Sequence, residues 1–164
     1  MGSYPKRRPG NLMAIPLTFG GFGYARVLNK LVAIYDRKSA QIENCDFVIG
    51  SPIAFTVNVH VSAFSKGRWA VIGFKSLEPI FNEPTKFYRR DLSGSEYLIW
   101  VSIPTSKNSY EEYPASAVDC IGLEPMLSWD PKQLEERIDD HFSGRENRAI
   151  LFYREELENK LKKN

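Results

Sequence analysis

Two cysteines, two histidines and no apolar run of membrane-spanning length leave several classes of function without support in this chain. Cys45 and Cys120 stand 75 residues apart, a count and spacing that fit neither a zinc cluster nor a disulfide framework. Both read as buried or half-buried free thiols. A transmembrane helix needs roughly 18 consecutive apolar residues, and the opening MGSYPKRRPG lacks the apolar segment of a secretory signal. A soluble, cytoplasmic protein is therefore expected. His60 and His141 have no Ser or Cys nucleophile fixed beside them in sequence. The cluster Gly20, Gly21, Gly23 joins two strand-like segments and is followed by neither a GK[ST] element nor a helix start, so it reads as a tight turn and not as a phosphate cradle. No internal repeat appears, and no cofactor or metal is expected.

What is present begins with Asn11 to Asp36. Leu12–Leu17, Tyr24–Leu28 and Leu31–Tyr35 read as three strands joined by short reversals, which favours an antiparallel meander with one face on a core. At 164 residues and 43% hydrophobic content, the chain can bury roughly two thirds of its unfolded surface as one domain. Further along, Ile53–Ser62 alternates, with Val57, Val59 and Val61 on one face and Asn58, His60 and Ser62 on the other. Trp69–Gly73, Phe87–Arg90 and Tyr97–Ile103 read as more strands, Leu77–Pro84 as a loop and Pro114–Val118 as a short helical turn.

The clearest helix signals lie between Asp130 and Gly144. Asp130 suits an N-cap, Pro131 the first helical position and Gly144 the left-handed residue after the end, while Leu134, Ile138 and Phe142 form an apolar stripe. Arg148–Tyr153 reads as a final strand, with a helix running on through the charged tail as the alternative.

The net charge of +2 hides an asymmetry: Lys and Arg outnumber Asp and Glu by 14 to 7 up to residue 110, and are outnumbered 8 to 13 after it. Between Tyr110 and Asp140 nine acids face two bases. Glu135, Glu136, Asp139 and Asp140 form two like-charged i,i+4 pairs, each costing about 0.2–0.5 kcal/mol on an isolated helix. Opposite the apolar stripe, these four should face solvent, as a solvated surface or a binding one. In the basic half, Lys6, Arg7 and Arg8 with Phe22 and Tyr24 make a weak nucleic-acid footprint. Arg89, Arg90 and Asp91 read as an ion-paired edge segment.

The order of the blocks AIPL, GYARVL, VAIYD, GRWAVIG, KFYRRD, CIGLE and WDP, then DHFSG, from Gly10 to about Asn147, resembles the immunity protein 26 family of bacterial polymorphic toxin systems. The resemblance implies a small cytoplasmic protein, not an enzyme, that binds and neutralises a cognate toxin delivered between competing bacteria. It brings no catalytic motif, so Ala14, Pro16, Gly23, Arg26, Tyr35 and Trp69 read as fold determinants. A flexible basic leader over residues 1–9, a single immunity-type domain over 10–154 and a charged tail over 155–164 follow.

The expected fold class is α+β: a strongly bent antiparallel sheet or SH3-like small barrel, packed by one main helix from Pro131 to Ser143. If the toxin is a nuclease, its phosphate-holding site is basic, and carboxylates can occlude it. Tyr110, Glu111, Glu112, Tyr113, Glu135, Glu136, Asp139 and Asp140 are the expected toxin-binding residues. The alternatives are a nucleic-acid-binding small β-barrel module, and a barrel-type ribonuclease using His60 or Arg26.

Overall fold

The structure, a computed structural model, describes residues 7–65, 67–94, 96–108 and 110–163. In chain order the elements are β1 (Asn11–Pro16), β2 (Phe22–Val27), β3 (Val32–Tyr35), α1 (Cys45–Ile49), β4 (Ile53–Val59), α2 (Ser62–Ser65) and β5 (Ala70–Phe74). A short 3-10 turn at Pro79–Asn82 precedes β6 (Thr85–Arg90), β7 (Tyr97–Ser102) and β8 (Tyr110–Ala115). A second such turn, Val118–Cys120, leads to β9 (Glu124–Pro125), β10 (Ser128–Trp129), α3 (Pro131–Ser143) and α4 (Arg148–Lys162).

These elements form two compact units. The first takes in the described residues up to Glu78 and Leu127–Arg145; the second takes in Pro79–Met126 and the described residues from Glu146 onward. In the first unit the expected meander is present: β1 pairs antiparallel with β2, and β2 with β3. The sheet extends to the order β10-β4-β3-β2-β1-β5, with β10 parallel to β4. Strand β3 is buried along its whole length and β2 nearly so, which is why both read as almost continuous apolar runs. Gly20 and Gly21 take the positive φ values, 94° and 78°, that the β1–β2 reversal needs. Gly23 does not share that role. It lies inside β2, where an added Cβ would come within 3.0 Å of Ile138 Cγ2, so its lack of a side chain lets α3 approach the strand.

The second unit is a four-stranded sheet in the order β8-β7-β6-β9, with β9 parallel to β6. Tyr88, Tyr97, Ile99, Ala117, Cys120 and Leu157 form its core, with Leu161 of α4 packed alongside.

The α+β class stands, but two mixed sheets and four helices occur in place of one bent antiparallel sheet, and no closed barrel is formed among the described residues. Three local readings also change. Arg148–Tyr153 is the start of α4, capped by Asn147 Oδ1, which accepts from the N–H groups of Ala149 (3.1 Å) and Ile150 (3.4 Å). Pro114 sits in β8, and the turn begins only after Ala115. Val61 has left β4 and is exposed, whereas Val57 and Val59 are buried as the alternation requires.

Candidate functional site

Helix α3 forms as its ends dictate. Asp130 Oδ1 accepts from Lys132 N (2.9 Å), Pro131 opens the first turn, and Gly144 ends it at φ 70°. Its apolar stripe is buried through Leu134 and Ile138. The acids beside that stripe do not face solvent as a group. Glu135 is only 3% exposed; its carboxylate takes two bonds from Arg68, from Nε at 2.5 Å and Nη2 at 2.6 Å, and a third from the indole N–H of buried Trp69 at 3.0 Å. The carboxylate raises the Arg68 pKa further, mainly through that hydrogen bond. Asp139, 2% exposed, accepts from the backbone N–H of Thr18 at 3.0 Å and so ties α3 to the β1–β2 turn. Asp140 pairs with Arg145 Nε at 3.2 Å. Glu136 alone of the four is exposed. The expected outward orientation is thus corrected for Glu135 and Asp139: their ridge adjoins the apolar stripe and turns toward Arg68 and Trp69 just ahead of β5 and the Thr18 N–H in the β1–β2 turn.

The other half of the expected site stands on β8, an edge strand whose sole ladder partner among the described residues is β7. Tyr110, Glu111, Tyr113 and Pro114 are exposed. The ring of Tyr110 lies 5.6 Å from that of Trp100, and its hydroxyl donates to Glu112 Oε2 at 3.2 Å. Glu112 is half-buried and takes Arg89 Nε at 2.6 Å, and that bond holds its carboxyl below the ordinary range. Tyr110, Glu111, Glu112 and Tyr113 are therefore brought together on one strand, while Glu135, Glu136, Asp139 and Asp140 belong to the other unit.

The remaining candidates resolve into structural roles. Arg26 is fully buried in β2 and donates to the carbonyls of Gly10 (2.7 Å), Lys75 (2.8 Å) and Ser76 (3.1 Å) and to Glu78 (3.2 Å). Enclosed in this way, it cannot meet a substrate. His60 is exposed and bonds Ser62 Oγ through Nδ1, so with Arg26 enclosed the ribonuclease alternative, which asks His60 or Arg26 to line a pocket, is left without support. His141 Nε2 lies 2.9 Å from Asp36 Oδ1. Arg90 pairs with Glu156 at 2.9 Å and Arg89 with Glu112, so the expected ion pairing is present, but on a strand, β6, that lies between β7 and β9 and not at the sheet edge.

Tyr24 is buried and its hydroxyl accepts from Glu43 N, so it offers no stacking face. Arg8 packs its guanidinium 3.9 Å from the Phe74 ring centre; Lys6 and the rest of the leader before Arg7 lie outside the described residues. Cys120 is buried, and burial pushes its thiol up to about 11; Cys45 is half-buried and raised for the same reason. Among the described residues no three His, Cys, Asp or Glu side chains gather as a metal site, and no helix is long and apolar enough to cross a membrane.

With this geometry in hand, comparison with known families is decisive on one point. The family model described as immunity protein 26 matches residues 8–98. The chain belongs to the immunity protein 26 family. The matched segment carries AIPL, GYARVL, VAIYD, GRWAVIG and KFYRRD, running from before β1 into the start of β7. In this immunity protein 26 member the later blocks, and with them β8 and α3, lie beyond that segment. Neither a curated protein nor a solved structure matches the chain. Membership implies an immunity function against a toxin, with that toxin as partner, and immunity proteins generally act without catalysis.

Proposed function

We propose that this immunity protein binds its cognate toxin directly in the cytoplasm and neutralises it by occluding the toxin's active site or substrate-binding surface, performing no chemistry itself. The observation that carries the reading is the exposed strand β8, where Tyr110 and Tyr113 stand beside Glu111 on a sheet edge. Tyrosines combine a large rigid contact area with a polar tip and are enriched at binding hot spots. Glu111 is exposed, and an exposed carboxylate at the rim speeds encounter with a basic partner.

A nuclease is the toxin class that suits this surface, because a cleft that holds phosphates is positively charged and accepts carboxylates in their place. Glu135 and Asp139 drop out of the contact set because they are buried, and Glu136 remains as an exposed acid of the first unit.

The test is co-expression with the toxin domain encoded by the gene immediately upstream, together with a dissociation constant for the purified pair. Growth should be rescued and a complex should form. Replacing Tyr110 and Tyr113 by Ala and Glu111 by Lys should weaken that complex by orders of magnitude. An undiminished affinity would move the interface off β8.

A further inference from the structure

Strand β8 has an open side, and its sequence dictates which backbone groups point there. Pro114 pairs with Leu98 across the β7–β8 ladder but has no N–H to give it. In an antiparallel ladder such a residue belongs at a position whose nitrogen faces away from the partner strand. The two-residue period then turns the N–H and C=O of Glu112 the same way, away from β7. At the Pro114 end the edge runs into a groove of about 470 Å³ lined by Pro114, Ala115, Glu96, Asp119 and Lys160. Asp119 accepts from the backbone N–H of Ser116 (2.9 Å) and its hydroxyl (2.8 Å), bonds that keep its carboxyl below the ordinary range. The groove thus carries two carboxylates against one ammonium group.

We infer that the toxin presents an extended, basic segment that adds to β8 as a fifth strand of this sheet and lodges a Lys or Arg side chain between Glu96 and Asp119. The inference rests on the toxin-binding reading above and specifies how that binding occurs. Main-chain pairing along an exposed edge supplies affinity, and side-chain pockets at alternate positions supply selectivity. Charge complementarity selects the occupant: the two acids of the groove outnumber Lys160, and Glu111 adds a third on the strand itself. Pro114 sets the length, since it interrupts the row of outward donors and confines pairing to the stretch before it.

The experiment compares E112P with E112A against the catalytically inactivated toxin domain from the upstream gene. Both variants lose the carboxylate that holds Arg89, but only E112P loses the outward N–H. E112P should bind at least tenfold more weakly than E112A. Equal dissociation constants would overturn strand addition while leaving toxin binding in place, whereas absence of any complex with the unaltered chain would overturn the toxin reading itself. Should E112P fail to fold, amide hydrogen exchange on the unaltered chain decides the matter. The Glu112 amide must become protected in the complex, and an unprotected amide overturns the inference. E96K should weaken binding about tenfold and flatten its salt dependence; an unchanged affinity would remove the basic side chain from the groove.

Discussion

Helix α3 and strand β8 carry the same sequence signature, adjacent acids in a strongly acidic stretch, and the fold uses them in opposite ways. On α3 two of four carboxylates are turned inward, Glu135 engaged by Arg68 and Trp69 and Asp139 through one oxygen by the Thr18 amide. On β8 Glu111 is left in solvent between exposed tyrosines, and half-buried Glu112 is held by Arg89 and the Tyr110 hydroxyl of its own unit. The difference shows that acidic composition measures neither surface charge nor function. A carboxylate's role depends on whether a distant cation or N–H is delivered to it, and Arg68 reaches Glu135 across 67 positions of chain.

The contrast can be broken most forcefully at Glu135. Glu135→Ala leaves the buried Trp69 indole N–H without its acceptor and should cost about 2–3 kcal/mol in urea unfolding, while Glu136→Ala should stay within about 0.5 kcal/mol. Equal effects would mean that the inward and outward acids are not distinct.

Tyr110→Ala together with Tyr113→Ala should reverse that pattern, with toxin affinity falling by about 2 kcal/mol or more, roughly 30-fold, at little change in melting temperature. A loss of stability that matches the loss of affinity would make β8 a structural edge. Gly23→Ala probes how tightly α3 lies on β2. With Ile138 Cγ2 3.0 Å from the new methyl, about 1 kcal/mol of overpacking is expected, and no change in stability would show that the helix can give way.

Acid titration sharpens the β8 side. Glu112 and Asp119 have folded pKa values below their unfolded ones, so their stabilisation is present above the unfolded carboxylate range of about 4 and is lost as pH falls through the lower, folded values. E112Q should shallow that acid limb. The smallest effect is chemical: with its thiol near 11, Cys120 should resist a disulfide reagent at pH 8 until the protein unfolds, while half-buried Cys45 reacts first. Early labelling of Cys120 would mean that the core of the second unit opens readily.

Much of the first unit was legible, because its signals are local. The β1–β2–β3 meander follows from apolar runs and glycine turns, and α3 follows from Asp130, Pro131 and Gly144, each acting within a few residues. Elsewhere two local signals misled. Pro114 suggested a turn because proline is excluded from sheet interiors, yet an edge strand tolerates it on its open side. The run RAILFY in Arg148–Tyr153 suggested a strand through its apolar bulk, whereas the Asn147 cap ahead of it starts a helix.

The division into two sheets was illegible, since β9 and β10 are two residues each and owe their existence to parallel pairing with β6 and β4, strands distant in sequence. The candidate site was half readable. The β8 residues could be named from composition, but Arg26 and Arg68, which hold carbonyls and carboxylates 16 to 67 positions away, leave no spacing pattern to find.

Pro114 also bears on how this protein behaves when crowded. A bare, tyrosine-rich border on a sheet is the kind of template on which like molecules stack into fibres. A residue that cannot donate, set near the end of that border, breaks the repeat that stacking needs. One visiting strand can be received, and indefinite growth is denied a continuous row of donors.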